Sequence, residues 1–377
     1  MTGKLRVAHV GEFKPESANG VHSAVAGLTS HLSSVDVDVQ IWHCSKKVTA
    51  VRERWVGEGV KIVDIPKHPQ FTRNAFGLPR ESWKVLKGLA ADVDLLHFHS
   101  VYTPENIALG RLGVPYVVTP HGGYNPNVTC GRHRFAKAVW RAIWETGFLR
   151  GARALHAVSE GEARDLEALG VNRRIVCVPN GLGDEWLDEQ VPCPPMGPWV
   201  FLGRLDVEAK GLDLLLDGYA AALRMSRLPN LMLVGPDHRG GQVWLAQRIA
   251  DLGLAGNVEI RPPIFGRAKA ELLRSASAVL HPSRWEGLPF GVLEALAVGR
   301  PVLVTPGTNM ASVVAQYEAG IAVDATPAGV SEGLFMLAEH GPAWRAAAGE
   351  RGRALVLERF TWDRVASQVA AMYREVL

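Results

Sequence analysis

The segment FLGRLDVEAKGLDLLL, Phe201–Leu216, reads as a strand, a loop and a helix in immediate succession. The strand is the apolar run Trp199–Leu202, short and free of polar residues, as a strand covered on both faces must be. Gly203 ends that run, and Gly211 opens the apolar-periodic stretch Leu212–Tyr219. Arg204 and Lys210 stand between the two glycines. Both cations therefore occupy the loop leaving the carboxyl end of a strand, where the ligands of parallel sheets bind.

The same unit recurs outward in both directions. Strand-like runs precede it at Leu5–Val10, Val37–His43, Val60–Ile65, Val93–Phe98, Tyr116–Thr119, Ala154–Val158 and Ile175–Val178, and follow it at Leu231–Val234, Val258–Ile260, Ala278–His281 and Pro301–Val304. Such runs spaced by helical periodicity predict βαβ units and parallel sheets. The rhythm breaks at Gly183–Pro198, where Pro192, Pro194, Pro195 and Pro198 exclude both helix and central strand. The expectation is an α/β chain with two doubly wound parallel-sheet domains facing across a cleft. The first covers 1–185 and the second 199–360, joined by a Pro-rich linker at 186–198. A closing helix follows at 361–377, carrying Val365, Val369, Met372 and Val376 at helical spacing.

Length and composition agree with this organisation. The chain has 377 residues, and domains run to roughly 150 residues each. Hydrophobic residues make up 47% and charged residues 21%, which excludes a disordered or fibrous protein. A net charge of +3 gives no electrostatic case for nucleic-acid binding. Cys44, Cys130, Cys177 and Cys193 are widely spaced and read as reduced thiols. Met1–Gly11 is too short for a signal-peptide core, and no apolar window reaches membrane-span length. The expectation is a cytoplasmic protein, free to touch a membrane on its cytoplasmic face.

Three further loops share the strand-end placement of Arg204 and Lys210. Ser17-Ala18-Asn19-Gly20-Val21 precedes a helix-like stretch to Leu32 and could bring a ligand close to the backbone, or be an ordinary turn; it is not a GxGxxG fingerprint. Thr119-Pro120-His121-Gly122-Gly123-Tyr124 places an imidazole after a strand, either for a sugar hydroxyl or as a surface loop residue. His97 and His99 read as residues that satisfy backbone groups at a strand end. The sharpest pattern is Ser283–Ala295, in which Pro289 suits a helix start and Glu286 sits beside the amides of Gly287 and Leu288. The helical turn between Glu286 and Glu294 puts them nearer ~10 Å apart, so they suit two ends of one ligand better than a hydrolase acid–base pair, whose carboxylates sit ~5–10 Å apart. Arg204 and Lys210 suit a diphosphate.

Taken together, these motifs resemble the retaining, nucleotide-sugar-dependent glycosyltransferases of family 4 (group 1). Glu286 and Glu294 lie within EGLPFGVLEA as a Glu-x7-Glu pair, and Phe201–Leu216 matches the family's phosphate-binding segment. NGV, TPHGG, AVSEGEARDL (Ala157–Leu166) and VPNG (Val178–Gly181) occur in the expected order. The resemblance implies the GT-B fold of two Rossmann-like domains. It implies that Arg204 and Lys210 hold the donor diphosphate, Glu294 the ribose, and Glu286 with Gly287, Leu288 and Pro289 the transferred sugar. His121 would meet that sugar near its 6-hydroxyl, Gly20 would lie beside the phosphates, and the base would rest near Arg261–Gly266, around Ile264. The closing helix would pack on the N-terminal domain. His121, Arg204, Lys210 and Glu286 would form the catalytic set, with no metal and no cofactor. The donor would be a UDP- or GDP-linked hexose, and the acceptor a glycan, lipid-linked or small-molecule hydroxyl. His121–Pro126 most resembles members that build bacterial surface polysaccharides. Three departures touch donor detail: Asn19-Gly20 replaces paired glycines, Leu182-Gly183-Asp184 shifts an aspartate, and Pro306–Ser312 lacks paired glycines and a glutamate.

Competing readings are a nucleotide-sugar epimerase or phosphorylase, transfer to a small secondary metabolite, and a non-catalytic sugar-binding scaffold. Acceptor-dependent release of nucleotide diphosphate separates them. The acceptor loops are expected at Phe71–Arg80 and Tyr124–Arg134. One segment, Arg132–Arg153, mixes Arg132, Arg134, Lys137, Arg141, Arg150 and Arg153 with Phe135, Trp140, Trp144 and Phe148. It suits weak contact with an anionic membrane. The alternative is that Val139, Ile143 and Phe148 pack inward and the cations are merely solvated.

Overall fold

The structure, a computed structural model, describes residues 4–13, 19–56, 60–67, 78–131, 133–171, 174–187 and 191–377. Ser17 and Ala18, residues 71–77 of the acceptor loop, and Arg132 lie outside the described residues. The chain divides into two compact units, Met1–Gly181 with Trp362–Leu377, and Leu182–Thr361.

The first unit is built on eight strands: β1 Leu5–Gly11, β2 Val37–Ser45, β3 Arg52–Val56, β4 Val60–Pro66, β5 Leu95–His99, β6 Tyr116–Thr119, β7 Ala154–Ala157 and β8 Ile175–Cys177. Their order is β3-β4-β2-β1-β5-β6-β7-β8, with every pairing parallel except β3–β4. The sequence reading missed β3. Its residues, Arg-Glu-Arg-Trp-Val, form a charged edge strand, where Arg52, Glu53, Arg54 and Trp55 meet water and charge blunts further pairing.

The second unit has six parallel strands: β9 Trp199–Leu202, β10 Leu231–Val234, β11 Val258–Arg261, β12 Ala278–His281, β13 Val302–Val304 and β14 Gly320–Ala322. They run β11-β10-β9-β12-β13-β14, the doubly wound dinucleotide-type order. That order reverses between β9 and β12, and in the first unit between β1 and β5. Loops leaving those four strands enclose the two switch points.

Each sheet is buried on both faces. Trp199, Phe201, Leu233 and Leu280 are fully buried in the second core, and Trp42, Leu96, Phe98 and Val118 in the first. Burying such side chains stabilises by ~1.5–3 kcal/mol each. The helix Trp362–Val376 belongs to the first unit and lies against the helix Gly20–Leu32. A Cβ on Gly27 or Gly181 would sit 2.2 Å or 2.7 Å from the Trp362 indole, so those glycines make its slot.

The Pro-rich run falls inside the second unit. Arg300, fully buried, donates to the carbonyls of Val191, Leu273, Gly299 and Arg274. Arg345 donates to Pro195 O at 3.0 Å. Proline supplies no N–H, so its carbonyl is what remains for another group to hold. The four cysteines are free thiols.

Candidate active site

In the second unit, β9 and β12 end side by side and their loops are sewn together. Arg284 N donates to Ala209 O at 2.9 Å, and the Arg284 guanidinium grips the Asp213 carboxylate through both forks, at 2.7 and 2.6 Å. Three glycines permit the approach. A Cβ on Gly211 would stand 2.0 Å from Pro282 O, on Gly307 2.2 Å from Arg284 O, and on Gly291 2.9 Å from both Leu202 O and the His281 ring.

That framework positions Glu286. Its Oε1 accepts from the Lys210 ammonium in a short ion pair and from Ser283 Oγ at 3.1 Å. Burial alone would raise its pKa, but Lys210, His281 and the hydrogen bonds outweigh burial and hold it below the ordinary value. His281 is pushed down to about 4, chiefly by burial, and lies against Leu202 O at 3.1 Å. The N–H groups of Gly287 and Leu288 have no acceptor among the described residues. They precede the helix Phe290–Ala297, whose first amides are also open. Asn309, in the left-handed region at φ 58°, donates to the carbonyls of Glu286 and Gly287 at 2.8 and 3.0 Å. The loop Pro306–Ser312, without the paired glycines, thus still braces the Glu286 segment.

Glu294 lies on the Phe290–Ala297 helix and is buried. Its Oε1 accepts from Lys269 Nζ at 2.6 Å, while its Oε2 is buried with no hydrogen-bond partner. Burial raises its pKa, with Lys269 opposing. An orphaned buried acceptor costs ~1–3 kcal/mol, a debt that a ligand hydroxyl would remove. Arg204 is exposed and makes no ion pair among the described residues. Arg204 and Lys210 thus leave one loop in different states, one free and one committed to Glu286. Pro289 is the helix cap, one residue earlier than expected, and Ile264 is half-buried after β11.

In the first unit, Gly20 opens its helix, capped by Asn19 Oδ1 accepting from Val21 N at 3.1 Å. His121 and Gly122 take consecutive left-handed conformations at φ 54° and 77°, which turns the chain sharply after β6. A Cβ on Gly123 would meet Val101 at 2.4 Å. The loop is held by Glu162, whose Oε1 accepts from Gly122 N at 2.5 Å and Oε2 from Val158 N at 2.8 Å. Burial pushes Glu162 up to about 7. The sequence signal for it was present as a capping box, since Ser159 Oγ accepts from Glu162 N at 3.1 Å.

The readings of two histidines need correction, and for a third the surface-loop alternative falls. His121 is not a solvated surface residue: its Nε2 lies 3.0 Å from His99 Nδ1, and burial lowers its pKa to about 3. His97 and His99 do not serve backbone groups through their rings. His97 bonds Tyr373 and Thr119, both at 2.6 Å, and His99 bonds His9 and His121. Among the described residues, His9, His97 and His99 form one group whose ligand atoms lie within 4.8 Å of one another.

The segment 134–151 also departs from the inward-packing alternative. It forms helices Arg134–Trp140 and Thr146–Gly151 around a π-turn, Arg141–Glu145. Phe148 is buried, but Phe135 is 79%, Val139 39% and Ile143 60% exposed. The turn carries Glu145 inward, where it accepts from Tyr102 N at 2.9 Å.

The chain matches the family model described as Glycosyltransferase Family 4 over residues 18–186, and that described as Glycosyl transferases group 1 over residues 199–340. It is 28% identical over 394 residues to the phosphatidyl-myo-inositol mannosyltransferase of Mycobacterium tuberculosis, covering 99% of this chain and 97% of that one. It is 28% identical over 400 residues to the D-inositol 3-phosphate glycosyltransferase of Frankia alni, covering 96% and 95%. Among solved structures, Anabaena Alr3699/HepE in complex with UDP and glucose superposes with a TM-score of 0.76 at 17% identity, covering 98% of this chain and 100% of that one.

Proposed function

The chain belongs to the family 4, group 1 glycosyltransferases and has the GT-B fold, and on that premise we propose that it moves a hexose from a nucleotide diphosphate sugar to an acceptor hydroxyl with retention and without a metal. The observation carrying this reading is the β9–β12 switch point, with an exposed Arg204, a Lys210–Glu286 pair, open amides and the orphaned Glu294 Oε2. A ribose hydroxyl donates to that oxygen. Arg204 and Lys210 take the charge that grows on the leaving diphosphate, the term that dominates in such reactions. Glu286 and the amides after it hold the transferred sugar, and the family resemblance gives His121 a contact with its 6-hydroxyl. The departing phosphate oxygen removes the acceptor proton on the same face, so no protein nucleophile is required. The mannosyl and inositol relatives favour a mannose-type hexose and a glycolipid or inositol-bearing acceptor over a free glycan.

The test is a panel of UDP- and GDP-linked hexoses, read first by thermal stabilisation. The stabilising donor is then incubated with phosphoinositide and inositol phosphate acceptors in EDTA. Transfer with the anomeric configuration preserved is the expected result. Donor turnover independent of acceptor refutes it, as does activity that EDTA abolishes and Mg²⁺ restores.

A second reading concerns where the acceptor is met. Phe135, Val139 and Ile143 recur every four residues and so share one exposed helical stripe, flanked by Arg134 and Lys137. No described helix is long and apolar enough to cross a membrane. A stripe of this kind inserts shallowly into an anionic bilayer surface.

A further inference from the structure

Behind His121 runs a continuous chain of side-chain hydrogen bonds within the first unit. His121 Nε2 meets His99 Nδ1 at 3.0 Å, and His99 Nε2 meets His9 Nδ1 at 2.9 Å. His9 Nε2 meets the Tyr373 hydroxyl at 3.3 Å, which meets His97 Nδ1 at 2.6 Å. His97 Nε2 meets Thr119 Oγ1 at 2.6 Å, which meets His156 Nδ1 at 2.8 Å. His156 Nε2 ends the chain on the Val178 carbonyl at 2.8 Å.

The direction of every bond follows from that last one. A carbonyl only accepts, so His156 Nε2 carries a proton. A neutral imidazole has one N–H, so His156 Nδ1 is an acceptor and the Thr119 hydroxyl donates to it. Thr119 Oγ1 has then spent its proton and accepts from His97 Nε2–H. His97 Nδ1 therefore accepts from the Tyr373 hydroxyl, and Tyr373 accepts from His9 Nε2–H. The same step repeats twice: His99 Nε2–H donates to His9 Nδ1, and His121 Nε2–H to His99 Nδ1. The scheme requires all five rings to be neutral. Burial holds His9, His97, His99, His121 and His156 below the ordinary histidine range.

We propose that this one-way array, fixed by the Val178 carbonyl, locks His121 as its Nε2–H tautomer and leaves Nδ1 as a hydrogen-bond acceptor for a hydroxyl of the donor sugar. The final clause rests on the sugar contact that the family resemblance gives His121. His9, His97, His99, His156, Thr119 and Tyr373 are positioning residues, and none of them touches the ligand. The array is also closed to proton transport, because its far end is a carbonyl that cannot release a proton. His121 consequently has no proton to lend at Nδ1, which rules it out as a general acid there. The same accounting explains why the His9, His97 and His99 group is not proposed as a metal site: each of its six ring nitrogens already has a hydrogen-bond partner.

The experiment is long-range ¹H–¹⁵N correlation of the full chain labelled with ¹⁵N-histidine, with resonances assigned by single histidine substitutions. All five rings should be neutral Nε2–H tautomers at pH 7. Tyr373→Phe removes the hydroxyl in the middle. His9 Nε2–H would then face a ring with no acceptor, so His9, His99 and His121 should switch together to Nδ1–H. His97 and His156, still anchored on Val178, should not change. An Nδ1–H or charged form at any of the five in the unsubstituted protein overturns the array, as does stoichiometric zinc bound to it. Should Tyr373→Phe not fold, the unsubstituted spectrum decides alone. His121→Ala separates the two layers. Correct tautomers in the unsubstituted protein with kcat/KM reduced less than about tenfold in that variant overturn the sugar contact and leave the array standing, whereas a larger fall supports the contact.

Discussion

Arg204 and Lys210 occupy one loop and are assigned one ligand, yet only the removal of Lys210 should weaken the fold. Arg204 is exposed and unpaired among the described residues, so Arg204→Ala should change stability by less than ~0.5 kcal/mol. A lost charge-assisted bond to the diphosphate is worth ~1.5–3 kcal/mol, a drop in kcat/KM of roughly 10- to 150-fold. Lys210 differs because its ammonium neutralises Glu286, and the two side chains are 11% and 14% exposed. Lys210→Ala leaves that carboxylate enclosed beside an oxygen donor, Ser283, and no cation. Removing one partner of a buried pair costs ~3–5 kcal/mol. At ~2–4 °C per kcal/mol for a unit of this size, the second unit's Tm should fall by roughly 6–20 °C. Adding Glu286→Gln to Lys210→Ala should restore most of that Tm and none of the activity. The assays are calorimetry and initial-rate kinetics on the four proteins. A Tm for Lys210→Ala within experimental error of the parent would mean that the pair carries no stability. Near-normal kcat/KM for Arg204→Ala would remove the diphosphate assignment.

Glu294→Gln should weaken donor binding at least tenfold with little loss of stability, since Oε2 has no protein partner to lose and Lys269 keeps an amide oxygen; titration calorimetry with the nucleotide diphosphate measures it, and unchanged affinity counts against ribose recognition. Acid should unfold the first unit before the second. Five imidazoles with depressed native pKa stabilise the fold above their unfolded value of 6.5, and that stability drains as pH falls below it, while Glu162, raised to about 7, opposes by one proton between pH 4.5 and 7. The five imidazoles outnumber the raised carboxyls Glu162, Glu145 and Asp165, so the net stability of the first unit falls as pH drops below 6.5. Circular dichroism and fluorescence against pH should show two steps, and a single shared transition would refute this order. Flotation with anionic vesicles should recover the protein at low salt and lose it at high salt, as charges are screened within ~8 Å at physiological ionic strength. Phe135→Ser with Ile143→Ser should abolish recovery; retention would make the stripe structural.

Buried parallel strands were legible because they are apolar runs with no polar alternation, as at Leu231–Val234 and Ala278–His281, whose boundaries match the structure. β3 was not, because an edge strand needs no core residues, nor was β14, whose three residues carry too little pattern. At the site, residues adjacent in sequence to a strand end could be read, which covers Arg204, Lys210, Glu286 and His121. Their supports could not. Lys269 sits on a surface-like helix 25 positions from Glu294, and Tyr373 is 276 positions from His97. Nothing local marks such partners, since only the topology brings them together. Asn309 left a fainter trace, being one of few residue types that accept a left-handed backbone.

The slot that Gly27 and Gly181 make for Trp362 has a consequence for biosynthesis. The first unit is written on both sides of the second, and its closing helix is translated only after all of the second unit. About 180 residues of the second unit separate Gly181 from Trp362, roughly 10–40 s of translation at 5–20 residues per second. Throughout that interval the nascent sheet carries His9 and His97 without Tyr373 and an open groove along its first helix. Leu182 N, meanwhile, already awaits Phe360 O, the 2.7 Å bond that closes the second unit's ends beside one another. Domains ordinarily finish in the order they are translated, whereas here the half that begins first cannot be completed until the whole of the inserted half has been made.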